Sequence, residues 1–177
     1  MAVLNLTRIP NLCLQSFRDA VNRCFNPAML PNMIGGTYRI ETTALWPGFY
    51  QPAQQLGMEH QLEGRYYVMK FDSEEIQQLG SEIWTRLEKV AQELVDFTDA
   101  YPGIYAVHEN PASPEIHILL SNIAASLDGS HLTEEYQYSY DEVIMQCAAA
   151  FILSDLCGTS IPDDCVNPIK TFSDEER

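Results

Sequence analysis

Two histidines nine positions apart, His108 and His117, are the residues of this 177-residue chain best suited to chemistry. Imidazole nitrogens are good ligands for zinc, copper, iron and nickel, and a nearby carboxylate from Glu109 or Glu115 extends such a ligand set. The segment from Ile104 to Asn122 reads as a β-hairpin. Tyr105 and Val107 are apolar on its first strand, and Ile116, Ile118 and Leu120 on its second. Those sets share a face only if paired residue numbers sum to an odd value. A loop from Pro111 to Pro114 satisfies this by pairing Asn110 with Glu115 and Val107 with Ile118. The same register sets His108 opposite His117 on the other face, as neighbours on one surface. A divalent-metal site at His108 and His117 is one expectation, and two surface histidines without metal the other.

The stretch His108-Glu109-Asn110-Pro111-Ala112-Ser113-Pro114-Glu115-Ile116-His117 also resembles the histidine signature of relaxases and rolling-circle replication enzymes with the HUH fold. Their mobilisation-relaxase pattern is His-x-Asp-Glu-x-Thr-Pro-His-x-His. His108, Ser113, Pro114 and His117 match it by identity or near identity. Glu115 stands where the first of the paired metal-binding histidines belongs, and Asn110-Pro111 replaces the acidic pair. The resemblance implies a metal-dependent nuclease relative and a core ordered strand, long helix, strand, strand, helix. It also draws notice to Tyr136, Tyr138 and Tyr140, just beyond, as packing residues or nucleophiles.

Charge points elsewhere. The chain carries 25 acidic and 10 basic side chains, a formal net charge of −15, which excludes a broadly basic nucleic-acid binder. The excess is local: residues 90–169 hold 13 Asp or Glu and no Lys or Arg. Phosphate contacts need cations, and this half offers none, so direct nucleic-acid binding is not expected. A basic protein surface, such as that of a nucleic-acid-handling enzyme, is the complementary partner. Glu109, Glu115, Asp128, Glu134, Glu135, Asp141 and Glu142 are the candidate contacts. No phosphate loop or Gly-x-Ser-x-Gly elbow is present, so no organic cofactor is expected. Five cysteines without a Cys-x-x-Cys spacing read mainly as buried small hydrophobes of a reducing, cytoplasmic compartment. No apolar run approaches the roughly 20 residues of a membrane span.

These residues need a frame, and the pattern gives an α+β one. Asn11 is the expected cap of a helix carrying Leu14, Phe17, Val21 and Cys24, stopped by Pro27. Residues 26–36 read as a Pro/Gly/Asn connector, and Thr37 to Trp46 as a strand. An aromatic loop with Phe49, Tyr50 and Met58 follows, then a strand from Arg65 to Phe71. Asp72 and Glu75 form a capping box for a long amphipathic helix whose apolar stripe runs from Ile76 to Phe97, with Gly80 a kink site. After an Asp128-Gly129 turn, Ser139 and Glu142 cap a helix from about Tyr140 to Cys157, closed by Gly158. That helix is apolar nearly all round and therefore buried on several sides, within the chain or in a homodimer. The expectation is a single acidic α+β domain over 1–177, with a frayed tail at about 170–177. Its antiparallel sheet has about four strands in two hairpin-like pairs, packed against the long helix and the C-terminal one. The leading functional expectation is a non-enzymatic inhibitor, immunity protein or nucleic-acid mimic. A small metal-dependent enzyme centred on the hairpin is the alternative.

Overall fold

The computed structural model describes residues 2–26, 29–37, 44–98, 100–110, 113–132 and 134–166. These form five strands: β1 (Val3–Ile9), β2 (Met29–Gly36), β3 (Gly64–Lys70), β4 (Gly103–His108) and β5 (Glu115–Ser121). The helices are α1 (Leu14–Cys24), α2 (Leu45–Leu56), α3 (Ser73–Leu79), α4 (Ile83–Phe97), α5 (Glu135–Cys157) and the short α6 (Asp163–Val166). All strand pairs are antiparallel, in the order β1-β3-β5-β4-β2. The α+β class is as expected, with one strand more than the sequence suggested.

Alternation of side chains along the strands gives the sheet two apolar faces, each covered by helices. On one face, Tyr67, Met69, Val107, Ile116 and Ile118 pack against Leu87, Val90 and Leu94 of α4 and Met145, Ala149 and Leu153 of α5. On the other, Tyr66, Ile104, Ala106 and Leu119 meet Phe17, Ala20 and Cys24 of α1 and Phe49 and Ala53 of α2. No helix among the described residues is long and apolar enough to cross a membrane.

Three sequence readings change. The connector at 26–36 is largely β2, an edge strand, where Pro31 costs no ladder bond that a central strand would need. Its Gly35 and Gly36 are set by close approach: a Cβ would come within 2.6 Å of the Tyr105 ring and 2.5 Å of the Gly103 carbonyl, respectively. The expected strand Thr37–Trp46 ends in α2, since Leu45 and Trp46 are helical, while positions 38–43 lie outside the described residues. Both sides of β3 are taken, by β1 and by β5, so the second hairpin-like pair is not found among the described residues. The aromatic loop is α2. Pro47 falls in its first turn, where a missing N–H is harmless, and Gly57 closes it at φ 68°. Phe49 is buried against Phe17, and Trp46 stacks on Tyr50.

Helix ends also differ. Cys13, not Asn11, precedes α1, and Asn11 takes a left-handed turn at φ 51°. The Asp72–Glu75 capping box is present, but Gly80 at φ 66° divides the long helix into α3 and α4. Helix α5 begins after Glu134, a turn earlier than Ser139 implied, and Gly158 closes it at φ 70°. The tail at 170–177 lies outside the described residues.

The early start of α5 lets its side chains finish the sheet. Leu4 and Leu6 of edge strand β1 donate their free N–H groups to Gln146 Oε1 (2.7 Å) and Glu142 Oε1 (2.9 Å). Covering an edge in this way removes a template for unwanted strand pairing. One turn away, Arg65 of β3 is fully buried. Its Nη1 meets Asp141 Oδ2 at 2.7 Å, its Nε and Nη2 donate to the Ser121 carbonyl, and Tyr101 lies 4.4 Å below the guanidinium. Tyr67 also donates its hydroxyl to Asp141.

A buried cation losing its only carboxylate is left uncompensated, which costs about 3–5 kcal/mol. Asp141→Asn is therefore expected to lower the urea midpoint by that amount of stability. Lys89→Ala, which removes an exposed i,i+4 pair with Glu93 (3.5 Å), is expected to cost about 0.5 kcal/mol or less in the same titration.

Candidate metal centre

The histidines stand at the open end of the β4–β5 hairpin, but not opposite each other. The observed register pairs His108 with Glu115 and Ala106 with His117. It is shifted by two residues from the expected one. A shift of two preserves which face every side chain occupies, so alternation alone does not select between them. The ladder stops before Pro114, which has no N–H to continue it. His108 and His117 thus become diagonal neighbours on the face covered by α1. Their rings stack at 3.7 Å between centroids and 11° between planes. They are also buried, at 3% and 7% exposure, rather than on the surface.

Each ring is held by named partners. His108 Nε2 lies 2.6 Å from the Cys24 carbonyl at the end of α1. A carbonyl only accepts, so the proton sits on Nε2 and leaves the Nδ1 lone pair, which Asn26 Nδ2 approaches at 3.4 Å. His117 Nε2 lies 3.0 Å from Glu115 Oε2, and its Nδ1 lies 2.7 Å from the Tyr66 hydroxyl. Burial, aided by the neighbouring His108 and Lys70, pushes the His117 pKa down despite Glu115. Burial also pushes the Tyr66 hydroxyl pKa up. The resting arrangement is then a neutral His117 donating from Nε2 to Glu115 and accepting from Tyr66 at Nδ1. Burial alone would raise the Glu115 carboxyl, but hydrogen bonds from His117 and Lys70 outweigh it and hold it below its usual value. It is ionised at neutral pH.

The structure brings His108, His117 and Glu115 together, with one candidate ligand atom from each lying within 4.8 Å of the others. Ligand atoms around a tetrahedral zinc-like ion stand about 3.4 Å apart, so the cluster needs to tighten by up to roughly 1.4 Å. The parallel rings must also turn, because stacked imidazoles aim their lone pairs side by side rather than at one point. Tyr66 permits this turn: its hydroxyl serves as donor or acceptor, so the His117 proton can move from Nε2 to Nδ1 without losing its partner. Two imidazoles and one carboxylate suit zinc, manganese or iron(II), so the residues fit such an ion in type, with the ring turn and tightening just described.

Four neighbours were not singled out by sequence: Tyr66, Lys70, Cys24 and Asn26. Lys70 Nζ is 3.3 Å from Glu115 Oε1, and the Arg23 guanidinium lies 5.3 Å over the Tyr66 ring. The apparent lack of cations around the hairpin is thus a property of the linear sequence. Pairing of β3 with β5 and packing of α1 restore two of them. Only the alternation in Arg65 to Phe71, which puts Tyr66, Val68 and Lys70 on one side, signals this in advance.

The remaining predicted acids do not gather at the cluster. Asp141 and Glu142 are committed to Arg65 and Leu6, and Asp128 holds its own turn through Ser126 and Ser130. Glu109 and Glu134 are exposed, and the Glu135 side chain lies outside the described residues. Tyr138 is bonded to Glu63 (2.6 Å) on the α5 side of the sheet, away from the histidines, and Tyr140 is exposed. Neither supplies a nucleophile to the cluster. Among the cysteines, Cys13 is exposed, against expectation, because it caps α1 rather than lying on its apolar stripe. A hydrogen bond with Ser16 lowers its thiol pKa, whereas burial pushes Cys24 up to about 12.

No protein-family model, curated protein or solved structure matches this chain significantly.

Two outcomes follow from the titrating groups. His117 has a folded pKa below its ordinary 6.5, so the unfolded chain binds more protons as pH falls below that value. Stability of metal-free protein is present above pH 6.5 and is lost as pH falls toward the folded pKa. Urea midpoints measured at stepped pH should show this, and His117→Gln should flatten the dependence over that window. At pH 8, iodoacetamide should label Cys13 well before Cys24, as read by peptide mapping.

Proposed function

We propose that the chain is a divalent-metal-binding protein of HUH-like architecture, a divergent relative of the nicking enzymes whose histidine signature it resembles. The convergence of His108, Glu115 and His117 carries this reading. The order β3, α3–α4, β4, β5, α5 agrees with what the resemblance implies. His108 Nδ1, His117 Nε2 and the Glu115 carboxylate are the atoms that would hold the ion. Bound there, a divalent ion supplies a Lewis acid for a phosphoryl oxygen. The chain's own groups prepare the site. The Cys24 carbonyl fixes the His108 tautomer, Tyr66 orients His117, and Lys70 keeps Glu115 ionised. Arg23 and Lys70 favour an anionic substrate, and a phosphodiester is the substrate class that fits.

Chemistry differs from covalent nicking in one respect. Tyr66 and Cys24 are buried with raised pKa values, which makes both poor nucleophiles. Among the described residues no accessible tyrosine lies at the cluster, so water is the proposed attacking group. The test is titration calorimetry with Mn²⁺ and Zn²⁺, followed by cleavage of a single-stranded oligonucleotide. One equivalent of metal is expected, with affinity reduced at least about tenfold in Glu115→Gln and His117→Ala. Absence of metal binding by the wild-type chain, or equal binding by both variants, overturns the reading.

A second reading, a partner-binding protein of inhibitor, immunity or nucleic-acid-mimic type, is favoured by one observation. Glu109, Asp128 and Glu134 are exposed within a stretch that carries no Lys or Arg. Glu115, Asp141 and Glu142 drop out of that surface because they are bonded within the fold.

A further inference from the structure

We infer that a groove between α4 and α5 is a docking site for a basic amphipathic helix of another protein. It lies on the far side of the sheet from the histidine cluster and is independent of the metal reading. Phe97 at the end of α4 is 56% exposed and Phe151 on α5 is 48% exposed. With Ala148 and Ile152 they line an apolar cavity of about 460 Å³, edged by Glu93 and Asp96. Asp155, one turn beyond Phe151, is also exposed. Two large exposed aromatics converging on one cavity are unlike the single exposed apolar residues scattered over any surface.

Helix α5 explains why the groove is open. One of its faces packs Met145, Ala149 and Leu153 on the sheet-side core, and another packs Cys147 and Ala150 against Cys165 near α6. Phe151, on a further part of its circumference, is left 48% exposed. A homodimer through this helix was one expectation, but charge opposes it. A second copy would bring Glu93, Asp96 and Asp155 against themselves, and like charges across an interface are repulsive. Residues 90–169 contain no Lys or Arg that could offset this. Glu93 pairs with Lys89 in an exposed contact of 3.5 Å, and Asp96 accepts from Gln92 at 2.8 Å. An apolar floor with anionic edges matches a helix whose apolar stripe is flanked by Lys or Arg. Helix-in-groove docking is the mode such a surface serves.

The experiment uses the full chain and a fluorescein-labelled amphipathic peptide of leucine and lysine, read by anisotropy. The control is the same apolar pattern with glutamate in place of lysine. The lysine peptide should bind more tightly at low salt than at high salt, and the glutamate peptide should not bind. Phe97→Ser with Phe151→Ser, which alters only exposed positions, should weaken binding at least about tenfold. Glu93→Gln with Asp96→Asn should flatten the salt dependence. Unchanged circular dichroism and urea midpoint show that each variant is folded. Failure of the wild-type chain to bind, equal binding of the glutamate peptide, or undiminished binding by the Phe variant overturns the proposal. So does a dimer in sedimentation that the Phe variant dissociates.

Discussion

The pairing of β3 with β5 is the contact on which the rest of the molecule depends. It sets Lys70 beside Glu115, Val68 beside His117 and Arg65 beside Leu120. Cations drawn from the first half of the chain thereby lie among carboxylates drawn from the second. On one face this produces Lys70–Glu115–His117–Tyr66; on the other it produces Arg65 with Asp141, Tyr67 and Tyr101. Neither group is recognisable from a single segment. Each exists because a long connection through α3 and α4 returns the chain to the strand it left.

The same contact explains why so much of the acidic half is structural. A fully buried guanidinium cannot be left without a carboxylate, and Asp141 is the group that α5 delivers. Once α5 is anchored there, Glu142 and Gln146 fall one residue and five residues further along, facing the open edge of β1. Their spacing of four is one helical turn, and it matches two successive outward N–H groups of an antiparallel edge, Leu4 and Leu6. The helix therefore needs polar residues on that side, although its pattern as a whole is apolar. Acidity here is partly a sheet edge being satisfied.

Much of the fold was legible from sequence where periodicity was strong: α1, α3 with α4, β3, the hairpin and the end of α5. The misses have physical causes. Strand β1, with Leu4 and Leu6 alternating against Asn5 and Thr7, carries a signal that is short but present. Strand β2 carries little, because its glycines are there to admit the Tyr105 ring and the Gly103 carbonyl, and such needs appear only in three dimensions. The candidate site was half legible. Alternation, with paired residue numbers summing to an odd value, puts His108 and His117 on one side of the hairpin, so their common face was readable. Their burial was not, because it depends on α1 crossing above them. Alternation also favours Glu115, two residues before His117, over Glu109, the residue after His108. What was not readable is the register that sets His108 opposite Glu115, since a shift of two leaves every pattern unchanged.

The remaining question is how the proposed site for an anionic substrate can lie in a chain of net charge −15. Range decides it. At physiological ionic strength the screening length is about 8 Å, so exposed acids act mainly on their own surroundings. Those of α4 and α5 are separated from the histidine face by the sheet and its core. At the cluster itself the nearest charges are Glu115, balanced by Lys70 at 3.3 Å, and Arg23 over Tyr66. These three groups carry no net negative charge before any ion is bound, and a divalent cation would make the surroundings more positive. One sheet thus separates two electrostatic environments: the small histidine cluster under α1, with Lys70 and Arg23 near it, and the acidic α4–α5 face, which carries the exposed Asp96 and Asp155.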